Sequence, residues 1–175
     1  MIAAATADEA PLLAAVHARA FERPWRADDI AKLLQNPSAF ALIASAGQAQ
    51  GFVIAWAAAG DSELLTVAVV PEARRKGVGA ALVTSAGVAA LVRGAATMHL
   101  EVAEDNVGAR ALYQKLGYAE AGRRPGYYAA DHGRVDAIVM RRTLPRPGEG
   151  VDAVDTPALV VDLDAMDRNL QRMPG

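Results

Sequence analysis

The chain has 175 residues, of which 53% are hydrophobic, and a formal net charge of −2. This length suits one domain with a buried core, and the charge argues against a broad nucleic-acid-binding surface. The sequence contains no cysteine, which excludes disulfides, thiolate metal ligands and a cysteine acyl-enzyme.

The N-terminal region predicts a short strand over residues 1–5 and then two helices. Thr6 and Glu9 form a capping box that begins a helix running to about residue 20. A second helix is predicted over residues 27–34, after the break at Pro24. The apolar stripe of the first helix would consist of Leu12, Leu13, Val16 and Ala20.

The sequence predicts neither a secretory signal nor a membrane-spanning helix. Its first ten residues contain Asp8 and Glu9 and no Lys or Arg, unlike the basic start of a signal peptide. The longest apolar runs, 51–60 and 64–70, are far shorter than the roughly 20 residues of a transmembrane helix. We therefore expect a cytoplasmic protein without a membrane partner.

The middle of the chain predicts an antiparallel meander followed by a helix. Strands over 40–45 and 51–58 join at Gly47, and Gly60 turns the chain into a strand over 63–70. A charged loop then leads to a helix over 77–92, with Val78, Leu82, Ala89 and Val92 among its buried candidates.

A strand over 97–102 completes a strand-helix-strand unit, whose two strands should be parallel. Asn106 is a good N-cap for a helix over 107–116 that Gly117 would close. Final strands over 118–122 and 135–140 would flank a loop that contains Tyr127 and Tyr128. The sequence therefore predicts an α/β fold, a mixed sheet with helices on both faces.

The composition changes to Pro, Gly and Glu from Pro145 onward, which is typical of a linker. We expect a domain over 1–144, a linker over 145–154 and a tail over 155–175. The tail begins with Asp155, Thr156 and Pro157 and resembles the start of D-threonine aldolase and alanine-racemase-like barrels. Those families need a lysine that binds pyridoxal phosphate, and the last lysine here is Lys115. A complete second enzyme is therefore excluded.

The most informative stretch lies between a predicted strand and a predicted helix. Glycines let the backbone approach a ligand, and the N–H groups and dipole at a helix N-terminus favour an anion, so a pyrophosphate fits there without metal. A triphosphate P-loop would need a following Gly-Lys-Ser/Thr, and a dinucleotide fingerprint would need glycine at Leu82. The interpretation of this stretch as a basic loop with no bound ligand also remains open. The stretch consists of Arg74, Arg75, Lys76, Gly77, Val78, Gly79 and Ala80.

The spacing of Arg74, Gly77 and Gly79 resembles the coenzyme A pyrophosphate loop of the GNAT superfamily of N-acetyltransferases. The resemblance implies a GNAT fold with splayed parallel strands, acetyl-coenzyme A as cosubstrate and no metal. The strand over 64–70 resembles the family's bulged fourth strand, and Asn106 matches a residue that hydrogen-bonds to the pantetheine arm. The backbone that would receive the acetyl and pantetheine groups is that of Val67, Ala68 and Val69.

The sequence Leu100, Glu101, Val102, followed by Asn106 and Tyr113, is similar to the bacterial ribosomal-protein-alanine N-acetyltransferases. This similarity implies direct transfer of an acetyl group to a protein N-terminal amine, namely an alanine of a small-subunit ribosomal protein. Glu101 would be the general base, directly or through a water, and Tyr113 would protonate the departing thiolate. The residues that would shape the peptide cleft are Trp25, Tyr127, Tyr128 and Asp136.

Plainer interpretations stay open at this point. Glu101 can be a solvated carboxylate, Tyr113 a core aromatic, and Asn106 an N-cap alone. The acceptor can be a free small amine, or the protein can be a non-catalytic acyl-coenzyme A binding module, which the presence of both Glu101 and Tyr113 disfavours. Metal binding is not expected because the three histidines, His17, His99 and His132, lack ligand spacing.

Overall fold

A computed structural model describes residues 1–146 of the chain as one seven-stranded sheet with helices. The strands are β1 (Ile2–Ala5), β2 (Ala39–Ala46), β3 (Gln48–Ala58), β4 (Asp61–Val69), β5 (Thr97–Ala103), β6 (Ala119–Ala130) and β7 (Gly133–Thr143). The helices are α1 (Ala10–Ala20), α2 (Ala27–Leu34), α3 (Val78–Val92) and α4 (Val107–Lys115).

The strands lie in the order β1-β2-β3-β4-β5-β7-β6. Strands β4 and β5 are parallel, and the other neighbouring pairs in residues 1–146 are antiparallel. The mixed sheet and the parallel strand-helix-strand unit predicted from the sequence are therefore confirmed.

Two buried clusters separate the sheet from its helices. The first lies beneath α1 and α2 and includes Leu13, Ile30 and Phe52. The second lies beneath α3 and α4 and includes Leu82 and Tyr113. Helices therefore cover both faces of the sheet, because each face presents its own row of apolar side chains. No helix within residues 1–146 has the length and apolarity needed to cross a membrane.

The helix boundaries follow local hydrogen bonds that the sequence predicted. The N–H group of Thr6 donates to Glu9 Oε2 at 2.7 Å before α1. Asn106 Oδ1 accepts from the N–H of Ala109 at 3.2 Å, so Asn106 caps α4. Gly117 follows α4 with a φ of 89°, the left-handed conformation that ends many helices.

Some details differ from the prediction. Tyr127 and Tyr128 lie within β6 rather than in a loop. This strand contains Pro125 and is exposed almost throughout, so no alternation of apolar and polar residues marks it in the sequence. Leu12 and Val92 are 45% and 61% exposed and do not belong to the buried stripes of α1 and α3.

Candidate active site

Strands β4 and β5 are paired over a short stretch and then separate. Residues 61–63 of β4 pair with residues 97–99 of β5, and the pairing stops there. Adjacent residues of β3 pair with Leu64 and Thr66, which leaves Leu65 as the extra residue of a bulge. The bulge implied by the sequence resemblance is thus present, and it lies where the two parallel strands diverge.

The diverging edge of β4 carries backbone groups that β5 does not use. The N–H of Val70 donates to Gln50 on the β3 side. Because consecutive residues of a strand direct their backbone groups to opposite edges, those of Val67 and Val69 face the gap, whereas those of Ala68 face β3. Val67 and Val69 can therefore offer backbone donors to a carbonyl oxygen in the gap.

The N-terminus of α3 lies directly after β4 and its loop. Gly77 has a φ of 82° at the N-cap, and no side chain caps the helix. Lys76 is exposed beside it. In an α-helix the first N–H groups have no partner within the helix and favour an anion. Here these groups belong to Val78, Gly79 and Ala80.

The arginines before α3 differ in what they contact. Arg74 Nε donates to the carbonyl of Val69 at 3.1 Å, and its guanidinium also reaches the carbonyl of Ala20 at 3.4 Å. This side chain therefore fastens the loop to the end of β4. Arg75 has a φ of 61°, which is uncommon for a residue other than glycine, and it is exposed.

Gly79 is not required by the internal packing of the protein. A Cβ atom built at this position would lie 3.5 Å from Leu112 Cδ2 and 3.8 Å from Val69 Cγ2, which are ordinary contacts. A methyl group thus fits there, whereas a larger side chain would have to extend beyond these two neighbours. The fold accordingly leaves room for an anion close to the backbone.

On the opposite face of the sheet, a cleft of about 250 Å³ opens beside β4 and β5. Leu100 packs in the core beneath α3, so alternation places the neighbouring side chains His99 and Glu101 on the face without α3. Trp56 and Val139 contribute apolar surface. The polar lining consists of Asp61, Ser62, Glu63, His99, Glu101 and Arg124.

Glu101 lies in this cleft with its side chain 18% exposed. Its Oε1 atom accepts from Arg124 Nε at 2.9 Å, and the Arg124 side chain is 58% exposed. The Arg124 guanidinium also lies 5.4 Å from the ring centre of Tyr127. Because this partner is so exposed, an incoming cation can displace it at little cost.

The other carboxylates of the cleft are held by fixed donors. Hydrogen bonding from the Thr97 hydroxyl, the largest cause, lowers the pKa of Asp61 below its ordinary value. Trp56 Nε1 donates to Glu63 Oε2 at 3.1 Å. Glu101 is therefore the carboxylate of this lining whose charged partner can most readily move away.

Tyr113 of α4 is buried in the cluster beneath α3 and α4, and its ring meets that of Tyr118 edge to face at 5.9 Å. Burial, together with the neighbouring Tyr128, raises the pKa of Tyr113 to about 12. Burial also raises the pKa of Tyr128, with Glu101 as a further cause. The charge of Glu101 thus affects Tyr128, and Tyr128 affects Tyr113.

The hairpin of β6 and β7 holds Tyr127 and Tyr128 in position. Asp136 accepts from Arg123 and from the N–H of Gly126, both at 2.8 Å. These bonds close the irregular part of the strand before the two tyrosines, whose rings meet edge to face at 5.1 Å. The sequence suggested Asp136 as a cleft residue, and its contacts in the structure are to the hairpin.

Trp25 lies apart from this group, in the loop between α1 and α2. The backbone N–H of Trp25 donates to His17 Nδ1 at 3.2 Å, and the residue is 37% exposed. It is not among the residues that line the cleft. From the sequence, His17 was considered only as a possible metal ligand, and its contact with Trp25 was not predicted.

The cleft residues Asp61, Glu63 and His99 were also missed. Their sequence signal is alternation, because polar residues occupy every second position at the start of β4 and along β5. This pattern indicates that these positions on one face of the sheet do not pack beneath a helix. Within residues 1–146, no group of three or more His, Cys, Asp or Glu side chains could hold a metal ion.

Comparison with known proteins gives a family match over most of the described domain. Residues 7–118 match the acetyltransferase (GNAT) family. The Escherichia coli ribosomal protein bS18-alanine N-acetyltransferase is 39% identical over 94 residues, which are 54% of this chain and 64% of that relative. The match thus spans less than two thirds of the Escherichia coli enzyme.

A second relative and a solved structure are similar over a longer part of their length. A Bacillus subtilis protein, provisionally named as the same enzyme, is 33% identical over 131 residues, 74% of this chain and 85% of its own. The crystal structure of the Escherichia coli enzyme superposes with a TM-score of 0.78 at 31% identity, covering 86% of this chain and 97% of that one.

Proposed function

Because the chain belongs to the acetyltransferase (GNAT) family, we propose that it transfers the acetyl group of acetyl-coenzyme A to a protein N-terminal amine. The proposed acceptor is an alanine at the start of a small-subunit ribosomal protein, since the relatives above are named for that reaction. A cytoplasmic location is part of the proposal for the same reason.

One observation carries the proposal. Glu101 lies in the cleft on one face of the sheet and Tyr113 is buried on the other, and β4 and β5 stop pairing after residues 61–63. A carboxylate and a phenol on opposite sides of one gap suit a reaction that needs a base for the incoming group and an acid for the leaving group.

The coenzyme would bind along the α3 side of the gap. The free N–H groups of Val78, Gly79 and Ala80 would hold its pyrophosphate, with Arg75 and Lys76 adding positive charge. Arg74 would act by fastening this loop to β4. The remaining contacts along the gap would come from the backbone of Val67 and Val69 and from the side-chain amide of Asn106, whose Oδ1 is occupied by the helix cap. Ala68, expected from the sequence to contribute as well, has its backbone groups directed to β3.

Glu101 would prepare the acceptor. An N-terminal amine has a pKa near 8, so at neutral pH it is mostly protonated and must lose a proton before it attacks. The ammonium group would enter the cleft, displace Arg124 from Glu101 and transfer a proton to the carboxylate, directly or through a water. Tyr127, Tyr128 and Trp25 would border the bound peptide.

Tyr113 would complete the transfer. As the amine nitrogen bonds to the acetyl carbon, charge grows on the carbonyl oxygen, and backbone N–H groups of Val67 or Val69 would stabilise it. The carbon–sulfur bond then breaks, and the Tyr113 hydroxyl would donate its proton to the departing sulfur. The second proton of the attacking nitrogen, released as the amide forms, would restore the Tyr113 hydroxyl through solvent, and Glu101 would lose its proton to solvent. The raised pKa of Tyr113, about 12, means that this proton is present throughout the physiological range.

The free small amine and the binding module are the alternatives. A mass-spectrometric assay with acetyl-coenzyme A would compare an alanine-starting peptide, the same peptide with a formylated N-terminus, a polyamine and an aminoglycoside. We expect acetylation of the unblocked peptide alone. Turnover of the small amines alone would support the second interpretation, and coenzyme binding without any turnover would support the third.

A further inference from the structure

His17 is a buried polar side chain on α1 with a partner at each ring nitrogen. It is 2% exposed. Its Nδ1 atom accepts the N–H of Trp25 at 3.2 Å, and its Nε2 atom lies 3.3 Å from Thr66 Oγ1. Because Nδ1 is an acceptor in the neutral ring, the proton is on Nε2 and is donated to the Thr66 hydroxyl. Burial lowers the pKa of His17, which favours this neutral form.

The imidazole is also the base of an aromatic stack that continues into the loop. Phe21 lies nearly parallel to it at 4.3 Å between ring centres, and Trp25 does so at 5.3 Å. Both aromatic side chains are large and partly exposed, at 42% and 37%. The loop over residues 21–26 thus presents two aromatic surfaces to solvent while its inner side rests on His17.

The other partner of His17 connects this loop to the proposed reaction site. Thr66 directly follows the bulged residue Leu65, where β4 leaves β5. Glu63, which lines the cleft, is three residues earlier in the same strand. Helix α1 covers the sheet face on which Thr66 and the cleft residues lie. His17 therefore joins the aromatic loop to the strand beside the cleft.

We propose that His17 is a positioning residue that fixes the 21–26 loop, and with it Trp25, beside the bulge of β4, on the sheet face where the acceptor cleft opens. An apolar side chain would fill the core without the cost of burying two polar atoms, whereas an imidazole also sets the direction of the loop backbone. The proposal rests on the proposed function, because the acceptor would approach on this face.

The test compares variants that remove these hydrogen bonds separately. His17→Phe keeps an aromatic ring but loses both bonds, and Thr66→Val removes only the Nε2 partner. His17→Asn retains an acceptor, Oδ1, close to the place of Nδ1, so it can still receive the N–H of Trp25. We would measure the KM for an alanine-starting peptide and the KM for acetyl-coenzyme A with each variant, together with thermal melting.

We expect His17→Phe to raise the KM for the peptide about tenfold, the scale of one lost buried hydrogen bond, while the KM for acetyl-coenzyme A changes less than about twofold. His17→Asn should restore most of the peptide KM. Equal changes in both KM values, or no rescue by asparagine, would overturn the positioning role. Thr66→Val should raise the KM for the peptide by a smaller factor. This variant provides the test if His17→Phe does not fold.

A second readout does not depend on activity. Nitrogen-15 NMR of the imidazole in the full chain should show the tautomer protonated at Nε2, with Nδ1 as acceptor. Protonation at Nδ1 would contradict the proposal even in an active enzyme. If the wild-type chain shows this tautomer but acetylates no peptide, the proposed function has failed while the attachment of the loop to His17 stands.

Discussion

At the scale of single residues, the ion pair of Glu101 and Arg124 in the free protein prepares Glu101 for the proposed acceptor ammonium. In the free protein the guanidinium neutralises the carboxylate at 2.9 Å. An acceptor ammonium carries the same charge and would take the same place. The proposed base thus stays accessible, because the partner that holds it is itself exposed.

Replacing Glu101 with Gln should slow turnover by about 10²-fold at neutral pH without weakening coenzyme binding. The loss should become smaller as the pH rises toward 10, because the acceptor amine then deprotonates in solution and needs no base. Rates measured from pH 6 to 10 at saturating substrates check this. Glu63→Gln, in the same cleft but bonded to Trp56, is the matched control. A pH-independent defect in Glu101→Gln would instead indicate substrate positioning.

Tyr113 should behave differently with pH. Its hydroxyl, with a pKa of about 12, stays protonated up to pH 10, so Tyr113→Phe should reduce turnover by a constant factor of about 10² across that range. Tyr118 offers a close control, because burial also raises its pKa to about 12 and its ring lies 5.9 Å from that of Tyr113. A similar loss in Tyr118→Phe would show that packing, not proton donation, explains the effect.

At the scale of elements, the sequence predicted those that have a local signal. The turn at Gly47, the cap at Asn106 and the end of α4 at Gly117 depend on residues with strong conformational preferences, and each is present. Strand β6 lacked such a signal. It is held by partners distant in sequence, such as the bond from Arg123 to Asp136. A strand held in that way cannot be recognised from its own residues.

The same reasoning applies to the candidate site. The N-terminus of α3 could be predicted because a loop and a helix start are adjacent in sequence. The cleft could not, because it needs Trp56 of β3 and Arg124 of β6 to meet β5. Which strands are neighbours is a property of the sheet order, and no periodicity in the sequence specifies it.

A further prediction concerns Gly79 at the N-terminus of α3. Gly79→Val should weaken acetyl-coenzyme A binding by about tenfold or more, because its branched side chain would occupy the space next to the free N–H groups. Gly79→Ala is the control, since its Cβ would make only ordinary contacts, 3.5 Å from Leu112. Calorimetry in EDTA measures both, and binding in the chelator is expected to persist.

Two results would contradict this account of the α3 N-terminus. Unchanged affinity in Gly79→Val would mean that the pyrophosphate binds elsewhere. Loss of wild-type binding in EDTA would mean that a divalent metal takes part. Thermal melting of each variant separates either result from a general loss of folding.

At the scale of the whole molecule, the sheet would separate the two proposed reactants. Helices α3 and α4 lie on the face with Tyr113, and the cleft with Glu101 opens on the other. The two faces communicate where β4 and β5 stop pairing after residues 61–63. A coenzyme and an acceptor can therefore approach from opposite sides and meet in the gap.

The boundary of the working domain is also a property of the whole molecule. Strand β7 ends at Thr143, and Leu144 is 4% exposed in the core, with its N–H donating to Ala96. The predicted linker over 145–154 and the tail over 155–175 lie almost entirely outside the described residues. We propose that they are dispensable for acetyl transfer.

Truncation after Leu144 should leave the turnover number within about twofold of the full chain, because the groups proposed for catalysis precede it. Truncation after Thr143 removes one buried leucine as well and should lower the free energy of unfolding by roughly 2–3 kcal/mol. Steady-state kinetics and denaturant unfolding check both. A chain of residues 1–144 that folds and binds coenzyme but has lost turnover would show that the tail contributes to the site.

The most direct measurement of the central claim is the position of the acetyl group on one peptide that offers two amines. The peptide would begin with alanine and contain an internal lysine, and fragmentation by mass spectrometry after incubation with the protein and acetyl-coenzyme A would locate the product. The account predicts acetyl on the alanine α-amine, with a rate that falls about 10²-fold in Glu101→Gln at neutral pH. Acetyl on the lysine side chain alone, or an equal rate in the Glu101→Gln variant, would contradict it.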